Sequence, residues 1–466
     1  MHKAKRIYVL LGVLVVLCIA VLAVSQHEEK KEQIKSGEKI ILEIPADSVT
    51  ALSWTNEEGT FSFTKGSSWT YDGDNAFPVD RQKIENLISQ FESFTAAFTI
   101  ENVEDEALYG LDEPVCTISV TTEEEAYQLK LGDFSKMDAQ RYVSIGDGRA
   151  YLVAHDPLEE FDAVLRDMIL DDTIPAFDSA EEIKFTGIEN YTITQNTDGQ
   201  SICADDVYFT DGRPLDTSNV ESFLTALQAL SLSDYVSYNV SDEELQEFGL
   251  DDPDLMIELK YTADEKEGKS GSVAISVSRS PKEAEAYEKA VEQGDDDLPS
   301  VTCYARVGQS QIVYQISQND YNKITAVSYD TLRHQKLFTA SFDTVTSIDV
   351  ELDGEDYTFS YVLPEEEEAE GKWVYREEEF DIYNLRTALR SLSAVSFTEE
   401  QPEGQEEIKV TIHLDNAYFP TFVLSVYRYD GANCIAEVDG VPTAFVSRSQ
   451  TVNLIEAVNE LILGAA

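Results

Sequence analysis

The sequence predicts an α+β protein with three tandem β-rich repeats, each with an antiparallel sheet and one main amphipathic helix, after an N-terminal transmembrane helix. Three observations predict it: an uncharged run near the N-terminus, short alternating apolar segments, and three helix patterns of equal spacing. With 466 residues and 42% hydrophobic content, the chain can bury several cores. The predicted organisation is 1–25 membrane anchor or signal segment, 26–47 charged stalk, and repeats at 48–172, 181–339 and 345–463.

The N-terminus carries the membrane prediction. Lys3, Lys5 and Arg6 precede an uncharged run from Ile7 to Val24, which is long enough to just span a bilayer. Positive charge before such a run predicts a cytoplasmic N-terminus, a single pass through the cell membrane and an extracellular bulk of the chain. A cleaved signal peptide competes with a permanent anchor, and the length of the run favours the anchor.

The charge balance limits the classes of partner. Lys and Arg number 34 against 89 Asp and Glu, which gives a formal charge of −55. Such a surface repels nucleic acid and other polyanions, so no nucleic-acid partner is expected. The acids are dispersed along the chain, which favours a solubilising surface over a site for a basic partner or divalent cations.

Three helices are predicted from apolar residues at offsets of 0, 3, 4, 7 and 10, which lie on one face of an α-helix. Each pattern follows an Asp placed to cap the helix, at Asp80, Asp216 and Asp381. The apolar sets are Ile84, Leu87, Ile88, Phe91 and Phe94; Val220, Phe223, Leu224, Leu227 and Leu230; and Leu385, Ala388, Leu389, Leu392 and Val395.

Alternating segments before and after each helix predict strands, such as "FSFTK" and "YTFSYV" before and "PVCTISV" and "IKVTIHL" after. Trp69, Tyr208 and Trp373 fill the same slot of the three repeats. A hairpin is expected at 146–148. Polar insertions interrupt the pattern: "SPKEAEAYEKAVEQGDDDLPS" predicts an exposed helix and an acidic loop, and "EEEEAEG" a hairpin tip or solvated loop. A closing helical segment is expected in each repeat, at 157–170, 320–337 and 451–463.

One hexapeptide occurs twice, as "YGLDEP" and "FGLDDP". The residues before it predict a short helix that Asn102 or Ser241 caps, with Ser241 and Glu244 as a capping box. The glycine suits the left-handed end of that helix, the leucine folds back onto it, and the proline stops it before a strand. The structural motif comprises Tyr109, Gly110, Leu111, Asp112, Pro114, Phe248, Gly249, Leu250, Asp251 and Pro253.

Adjacent acids in this motif, and in "GDDDLP" at 294–299, raise the question of a cation site. A hard cation needs several converging oxygens, and "GDDDLP" lacks the alternating acids and terminal Glu of a calcium loop. Solvated turns are therefore the favoured interpretation. The third repeat carries "EEQPEGQEE" at the place of the motif, so the repeat does not require the motif.

With its N-terminal membrane segment, consecutive β-rich units and the "GLD-acid-P" step, the chain resembles a bacterial family known only as domain of unknown function 4340. The matching residues are Tyr109–Pro114 and Phe248–Pro253, in the first two repeats. The resemblance implies an extracytoplasmic, membrane-linked protein, because members often lie beside genes for ABC transporters and gliding-motility-type transporters. It brings no catalytic residues.

Signatures of catalysis are missing from the sequence. It has no "HEXXH", "GXSXG", phosphate-loop or dinucleotide-binding motif. His155, His334 and His413 fall one per repeat at unmatched positions, which disfavours a shared site or a two-histidine metal site. We predict no catalytic residue, no cofactor and no metal site. The four cysteines after the membrane segment are expected to be free and buried: Cys116, Cys203, Cys303 and Cys434.

These patterns favour a membrane-anchored, extracytoplasmic, non-enzymatic protein that acts as an interaction or accessory subunit of an ABC-transporter-type complex. The alternative is a protein that binds cell-wall glycan or another extracellular ligand. A carboxylate-dependent hydrolase is the third class, because a glycosidase needs only two acids and this chain is rich in them.

Overall fold

The computed structural model describes residues 39–196, 198, 200–264, 269–363 and 371–464. The chain divides after Asp171 into an N-terminal unit and a C-terminal unit, each compact by itself. The predicted membrane segment and the stalk up to residue 38 lie outside the described residues. No helix in the described part of the chain is long and apolar enough to cross a membrane.

The N-terminal unit contains a two-stranded sheet and an eight-stranded sheet, both antiparallel. The α-helices in the described part of this unit are α1 (Arg81–Ser89) and α2 (Leu158–Phe161). Its strands are β1 (Lys39–Leu42), β2 (Val49–Asn56), β3 (Gly59–Lys65), β4 (Trp69–Tyr71), β5 (Phe94–Ala96), β6 (Phe98–Ile100), β7 (Cys116–Thr122), β8 (Ala126–Ser135), β9 (Gln140–Ser144) and β10 (Ala150–Val153).

The C-terminal unit contains two nine-stranded antiparallel sheets. The strands of the first are β11 (Ser179–Gly187), β12 (Tyr191–Gln195), β13 (Tyr208–Thr210), β14 (Arg213–Pro214), β15 (Tyr235–Ser237), β16 (Leu255–Asp264), β17 (Lys269–Arg279), β18 (Cys303–Val307) and β19 (Val313–Ile316). Those of the second are β20 (Val345–Leu352), β21 (Glu355–Val362), β22 (Lys372–Tyr375), β23 (Glu378–Phe380), β24 (Ala394–Phe397), β25 (Glu406–Leu414), β26 (Thr421–Arg428), β27 (Asn433–Val438) and β28 (Val441–Ser447).

Seven α-helices are described in the C-terminal unit. They are α3 (Thr217–Gln228), α4 (Asp242–Phe248), α5 (Pro281–Gln293), α6 (Gln318–Thr325), α7 (Tyr329–Leu332), α8 (Tyr383–Ser391) and α9 (Arg448–Gly464). Of these, α3 and α8 are the main helices predicted from the apolar spacing, as is α1 in the N-terminal unit.

The three large sheets share one strand order, except that the described part of the first sheet has no counterpart of the edge strands β14 and β23. They run β4-β3-β2-β7-β8-β9-β10-β6, then β14-β13-β12-β11-β16-β17-β18-β19-β15, then β23-β22-β21-β20-β25-β26-β27-β28-β24. In each sheet, the strands that precede the main helix in the chain form one half. The other half consists of β7–β10, β16–β19 or β25–β28. The short strand β6, β15 or β24, which follows the main helix in the chain, pairs at the far edge of that half. Trp69, Tyr208 and Trp373 lie in β4, β13 and β22, which occupy the same place in this order. The α+β class with antiparallel sheets is therefore confirmed.

The main helices bury the apolar faces that their spacing predicts. In α8, Leu385, Ala388 and Leu389 are buried, and Leu392 is buried just after the helix. The prediction is wrong at the last position of all three patterns, because α1, α3 and α8 end earlier than the patterns do. Phe94 lies in β5, and Val395 lies in β24 with 62% of its surface exposed. Leu392 is already extended, so the residues after it no longer follow helical spacing.

Two of the three predicted caps sit where expected. Asp80 accepts hydrogen bonds from the amides of Gln82 and Lys83, and Asp216 accepts one from the amide of Ser218. In the third helix, α8, the N-cap residue is Ile382. Asp381 lies one residue before it and accepts a hydrogen bond from the amide of Tyr383 at 2.8 Å. The third prediction is therefore wrong by one residue, although the same carboxylate satisfies a free amide.

The insertion in the second large sheet forms the exposed helix α5, as predicted, and this helix has no buried residue. Gly294, just after it, is in the left-handed region. The insertion at Glu365–Gly371 lies outside the described residues except for Gly371. Of the closing segments, 451–463 lies within α9, and 320–337 contains α7 and most of α6. The segment 157–170 forms only α2 and a 3-10 turn. The predicted hairpin at 146–148 joins β9 and β10.

Candidate functional site

The repeated hexapeptide ends a short helix in both places. Gly110 and Gly249 adopt left-handed conformations with φ of 66° and 71°. The amides of Leu111 and Leu250 donate back to carbonyls of the preceding helical turn, at 3.0 and 2.8 Å. Both leucine side chains are buried. The motif is therefore a helix stop, as the sequence predicts.

The carboxylates of the motif point away from the core, since Asp112 and Asp251 are exposed. Ser241 and Glu244 form the predicted capping box, with Ser241 accepting from the Glu244 amide at 3.2 Å. The prediction that Asn102 caps the first helix is wrong. The helical segment is a short 3-10 turn that begins three residues later than expected, and Asp105 accepts from the Ala107 amide at 3.1 Å.

Gly249 combines a left-handed backbone with a close approach, so its replacement tests the motif. An added Cβ would lie 2.7 Å from Ser278 Oγ and 2.8 Å from the Arg279 carbonyl oxygen. We expect Gly249→Ala to lower the free energy of unfolding by about 2–4 kcal/mol, measured by denaturant melts. Gly294→Ala is the control, because Gly294 is also left-handed but has nothing near its added Cβ. A cost of about 1 kcal/mol is expected there, and equal costs for the two variants would contradict the packing role of Gly249.

The residues that the structure brings together for chemistry lie elsewhere, in the C-terminal unit. His334 Nε2 lies 2.9 Å from both carboxylate oxygens of Asp206, and its Nδ1 lies 3.3 Å from Asp216 Oδ2. Ser201 Oγ donates to Asp206 Oδ2 at 2.7 Å. The Asp206 side chain is only 1% exposed. The Sγ of Cys203 lies within 4.8 Å of the nearby His334 and Asp206 ligand atoms. Cys203, Asp206, Asp216 and His334 are called the junction cluster below.

Several backbone contacts fix the junction cluster. Asp216 is the N-cap of α3, and its amide donates to the Leu332 carbonyl at 3.0 Å. After His334 the chain contacts the residues just before β24. Lys336 forms an isolated antiparallel β-bridge with Ser393, and the Leu337 amide donates to the carbonyl of Leu392, just after α8. The cluster therefore lies where the linker leaves one sheet of the C-terminal unit and reaches the other.

Charge and burial shape the protonation of the cluster. Burial favours the neutral form of His334, but the hydrogen bond and charge of Asp206, with the charge of Asp216, outweigh it and raise the pKa of the imidazole. Burial is the main cause that raises the pKa of the Cys203 thiol, and the nearby Asp206 and Asp205 add to it. The cluster thus favours an imidazolium held between two carboxylates, beside a protonated thiol.

A groove of about 1060 Å³ opens beside the cluster in the same unit. Its walls carry Arg213, Arg333 and Lys336 with the rings of Tyr329 and Phe397. The Arg213 guanidinium carbon lies 4.3 Å from the centre of the Tyr329 ring, and that of Arg333 lies 3.3 Å from the centre of the Phe397 ring. Such stacking holds guanidinium groups in place while their edges stay able to bind anions.

The basic character of the groove stands out because acids outnumber bases 89 to 34 in the whole chain. Two acids also line it, Asp330 and Glu399, and Arg333 Nε lies 3.6 Å from Asp330 Oδ1. Arg213 and Lys336 lie toward solvent, and the nearest carboxylate to Arg213 is 4.0 Å away at Asp211. An anionic ligand can therefore reach two of the three cations.

The other candidate residues of the sequence lie apart. His155 is exposed in the N-terminal unit, and His413 pairs with Asp349 at 2.7 Å between two strands. Cys116, Cys303 and Cys434 are buried, as predicted, whereas Cys203 is only partly buried. Burial raises the pKa of Cys116 to about 12 and that of Cys303 to about 11, so both thiols stay protonated at neutral pH.

Sequence reasoning missed the junction cluster. Cys203 and Asp206 lie in a loop between two short strands, and His334 lies 128 residues after Asp206. No ligand spacing in the sequence links these residues. Asp216 is the one residue of the site that the sequence predicts to have a role: it caps α3, as predicted, and it also contacts His334.

The fold is of the antiparallel α+β class, and in its C-terminal unit polar side chains gather where a linker joins two sheets. The chain belongs to the family described as Domain of unknown function (DUF4340), whose model matches residues 69–207 and 209–416. The resemblance stated from the sequence is thereby confirmed. No curated protein matches the chain.

Proposed function

We propose that this protein is a membrane-anchored extracytoplasmic interaction subunit, without catalytic activity, of an ABC-transporter-type membrane complex. We further propose that its three large sheets are copies of one repeated unit, at 48–172, 181–339 and 345–463. The groove that holds Arg213 and Lys336 is the observation that carries the interaction role, because a basic surface on so acidic a chain fits a specific anionic partner.

The repeat proposal draws on topology and on the family match. The shared strand order includes an edge strand that crosses to the far side after each main helix. The two matched segments begin at Trp69 and Phe209, which lie in β4 and β13. These strands occupy the same place in their sheets, so both matches of the family model begin in the same strand of the proposed repeat.

The proposed membrane anchor is supported by the N-terminal sequence. Basic residues before the uncharged run of 7–24 favour a cytoplasmic N-terminus, which would place both units outside. An extracytoplasmic partner held in the same membrane then meets this chain at high effective concentration. A modest groove is enough for stable association under that condition.

The occupant that we propose for the groove is an acidic extracytoplasmic segment of a transporter subunit. Carboxylates of such a segment would pair with Arg213 and Lys336, and its apolar side chains would pack on Phe397 and Pro442. Guanidinium and carboxylate groups match in geometry, which favours this chemistry over a neutral glycan.

Charge reversal in the groove tests the proposal. We expect Arg213→Glu combined with Lys336→Glu to reduce recovery of transporter subunits with the tagged full-length chain at least about tenfold, because two attractive contacts become repulsive. The measurement is purification from detergent-solubilised membranes with quantitative mass spectrometry of the ATP-binding and membrane-spanning subunits. Arg81→Glu is the control, since Arg81 is an exposed helix residue of the N-terminal unit.

Three results would overturn the proposal. In the first, wild-type protein recovers no transporter subunits but binds isolated cell wall, which supports the glycan-binding alternative. In the second, the groove variant and Arg81→Glu recover equal amounts of transporter. In the third, the purified chain shows turnover that one carboxylate-to-amide change abolishes, which supports a hydrolase.

A further inference from the structure

Three different metal-ligand groups converge in the junction cluster. The Cys203 thiol, an Asp206 oxygen and a His334 nitrogen all lie within 4.8 Å of one another, and the oxygen and nitrogen are 2.9 Å apart. Ligands of one tetrahedral zinc ion lie about 3.3–3.6 Å apart, so these atoms need to move by only about 1–1.5 Å. We propose that Cys203, Asp206 and His334 bind a divalent transition-metal ion, Zn²⁺ in particular.

The groups behind these ligands have the arrangement that metal sites use. Asp216 Oδ2 lies 3.3 Å from Nδ1 of His334, the ring nitrogen that faces away from Asp206. A carboxylate in this position orients a ligating imidazole and raises its basicity. Ser201 donates to Asp206 at 2.7 Å and orients that carboxylate in turn. These contacts come from outside the set of three ligands and support the site independently.

The choice of metal follows from the donor atoms. One sulfur, one imidazole nitrogen and one carboxylate oxygen suit Zn²⁺, whereas Ca²⁺ and Mg²⁺ require oxygen ligands. A pocket of about 340 Å³ is lined by Cys203, Asp216 and His334. It gives the ion a route of entry and leaves room for a water molecule as the fourth ligand.

Binding changes protonation and connects two parts of the C-terminal unit. The ion needs a thiolate and a neutral imidazole nitrogen, so the Cys203 proton and the proton between His334 and Asp206 leave to solvent. No bond other than these is broken. The ion then joins the loop of Cys203 to the linker of His334. His334 and Lys336 line both this pocket and the basic groove. The three proposed metal ligands are not the residues proposed to bind the transporter segment, so the metal site does not depend on that partner.

Zinc titration of the full chain in detergent tests the site. We expect one tight equivalent of Zn²⁺ by competition with a chromogenic chelator, and a thiolate-to-metal charge-transfer band with Co²⁺. Cys203→Ser should remove that band and lower affinity more than about 100-fold, because a direct ligand matters more than its supporting groups. Asp216→Asn should lower affinity about 10–100-fold while the asparagine still caps α3.

The matched control is His413→Gln. His413 also pairs with a carboxylate, Asp349, at 2.7 Å, and among the described residues it belongs to no group of three metal-ligating side chains, so its loss should leave zinc affinity unchanged. Circular dichroism of the metal-free variants verifies that they fold. The proposal is wrong if wild type binds no tight equivalent, or if Cys203→Ser and Asp216→Asn both keep wild-type affinity, which would assign the zinc to surface carboxylates.

Discussion

Leu227→Asp is expected to unfold the sheet of the C-terminal unit against which α3 packs. Leu227 is completely buried on the apolar face of that helix. The change replaces an apolar side chain by a carboxylate without a partner, and the combined loss of packing and burial of charge costs at least about 5 kcal/mol. Thermal and denaturant melts followed by circular dichroism measure the loss.

The control for Leu227→Asp is Asp296→Ala, in the exposed acidic loop after α5. Asp296 lies on the surface, so its removal should change the free energy of unfolding by no more than about 0.5 kcal/mol. Equal melting of the two variants would contradict the helical register on which the predicted repeats depend.

The second large effect is expected from Arg141→Met in the N-terminal unit. Arg141 Nε donates to Asp156 Oδ1 at 2.6 Å and its Nη1 donates to the Gly132 carbonyl at 2.6 Å. The two side chains are 9% and 11% exposed. Methionine fills much of the same volume but leaves the Asp156 charge buried, so we expect a loss of about 3–5 kcal/mol in denaturant melts.

Arg149→Met is the matched control for Arg141→Met. Arg149 also pairs with carboxylates, Glu101 and Asp147, but its side chain is 44% exposed. Solvent screens such pairs, so a change within about 1 kcal/mol is expected. A double variant, Arg141→Met with Asp156→Leu, should recover most of the stability because no buried charge remains. Failure of that recovery would contradict the buried charge as the cause and would point to packing or to the lost hydrogen bonds with the Gly132 carbonyl and the Leu158 amide.

The local features of the fold were largely predictable from the sequence. The spacing of Leu385 and Leu389 predicts a buried helix face, and the alternation in "IKVTIHL" predicts a half-buried strand, because each regular structure repeats its side-chain directions with its own period. Gly249 similarly predicts a left-handed helix end. These features depend on residues close in sequence, so the pattern contains all that is needed.

Predictions at the ends of elements were less accurate. Asn102 has a suitable side chain for a cap, but Asp105 caps the turn instead, since the helical segment is shorter than expected. Val395 continues the spacing of α8 and yet lies in β24. Several residues near a helix end can satisfy the free amides and carbonyls, and contacts with the rest of the fold decide which one does.

By itself, the sequence determined the antiparallel α+β class, the buried helix faces, the helix-stop motif and the family. Only the tertiary structure brought Cys203, Asp206 and His334 together and gathered Arg213 and Lys336 beside the rings of one groove. Local periodicity reports the environment of each residue but carries no information on which distant segments meet. That is decided by how the sheets pack around their linker, so both candidate sites became visible only in three dimensions.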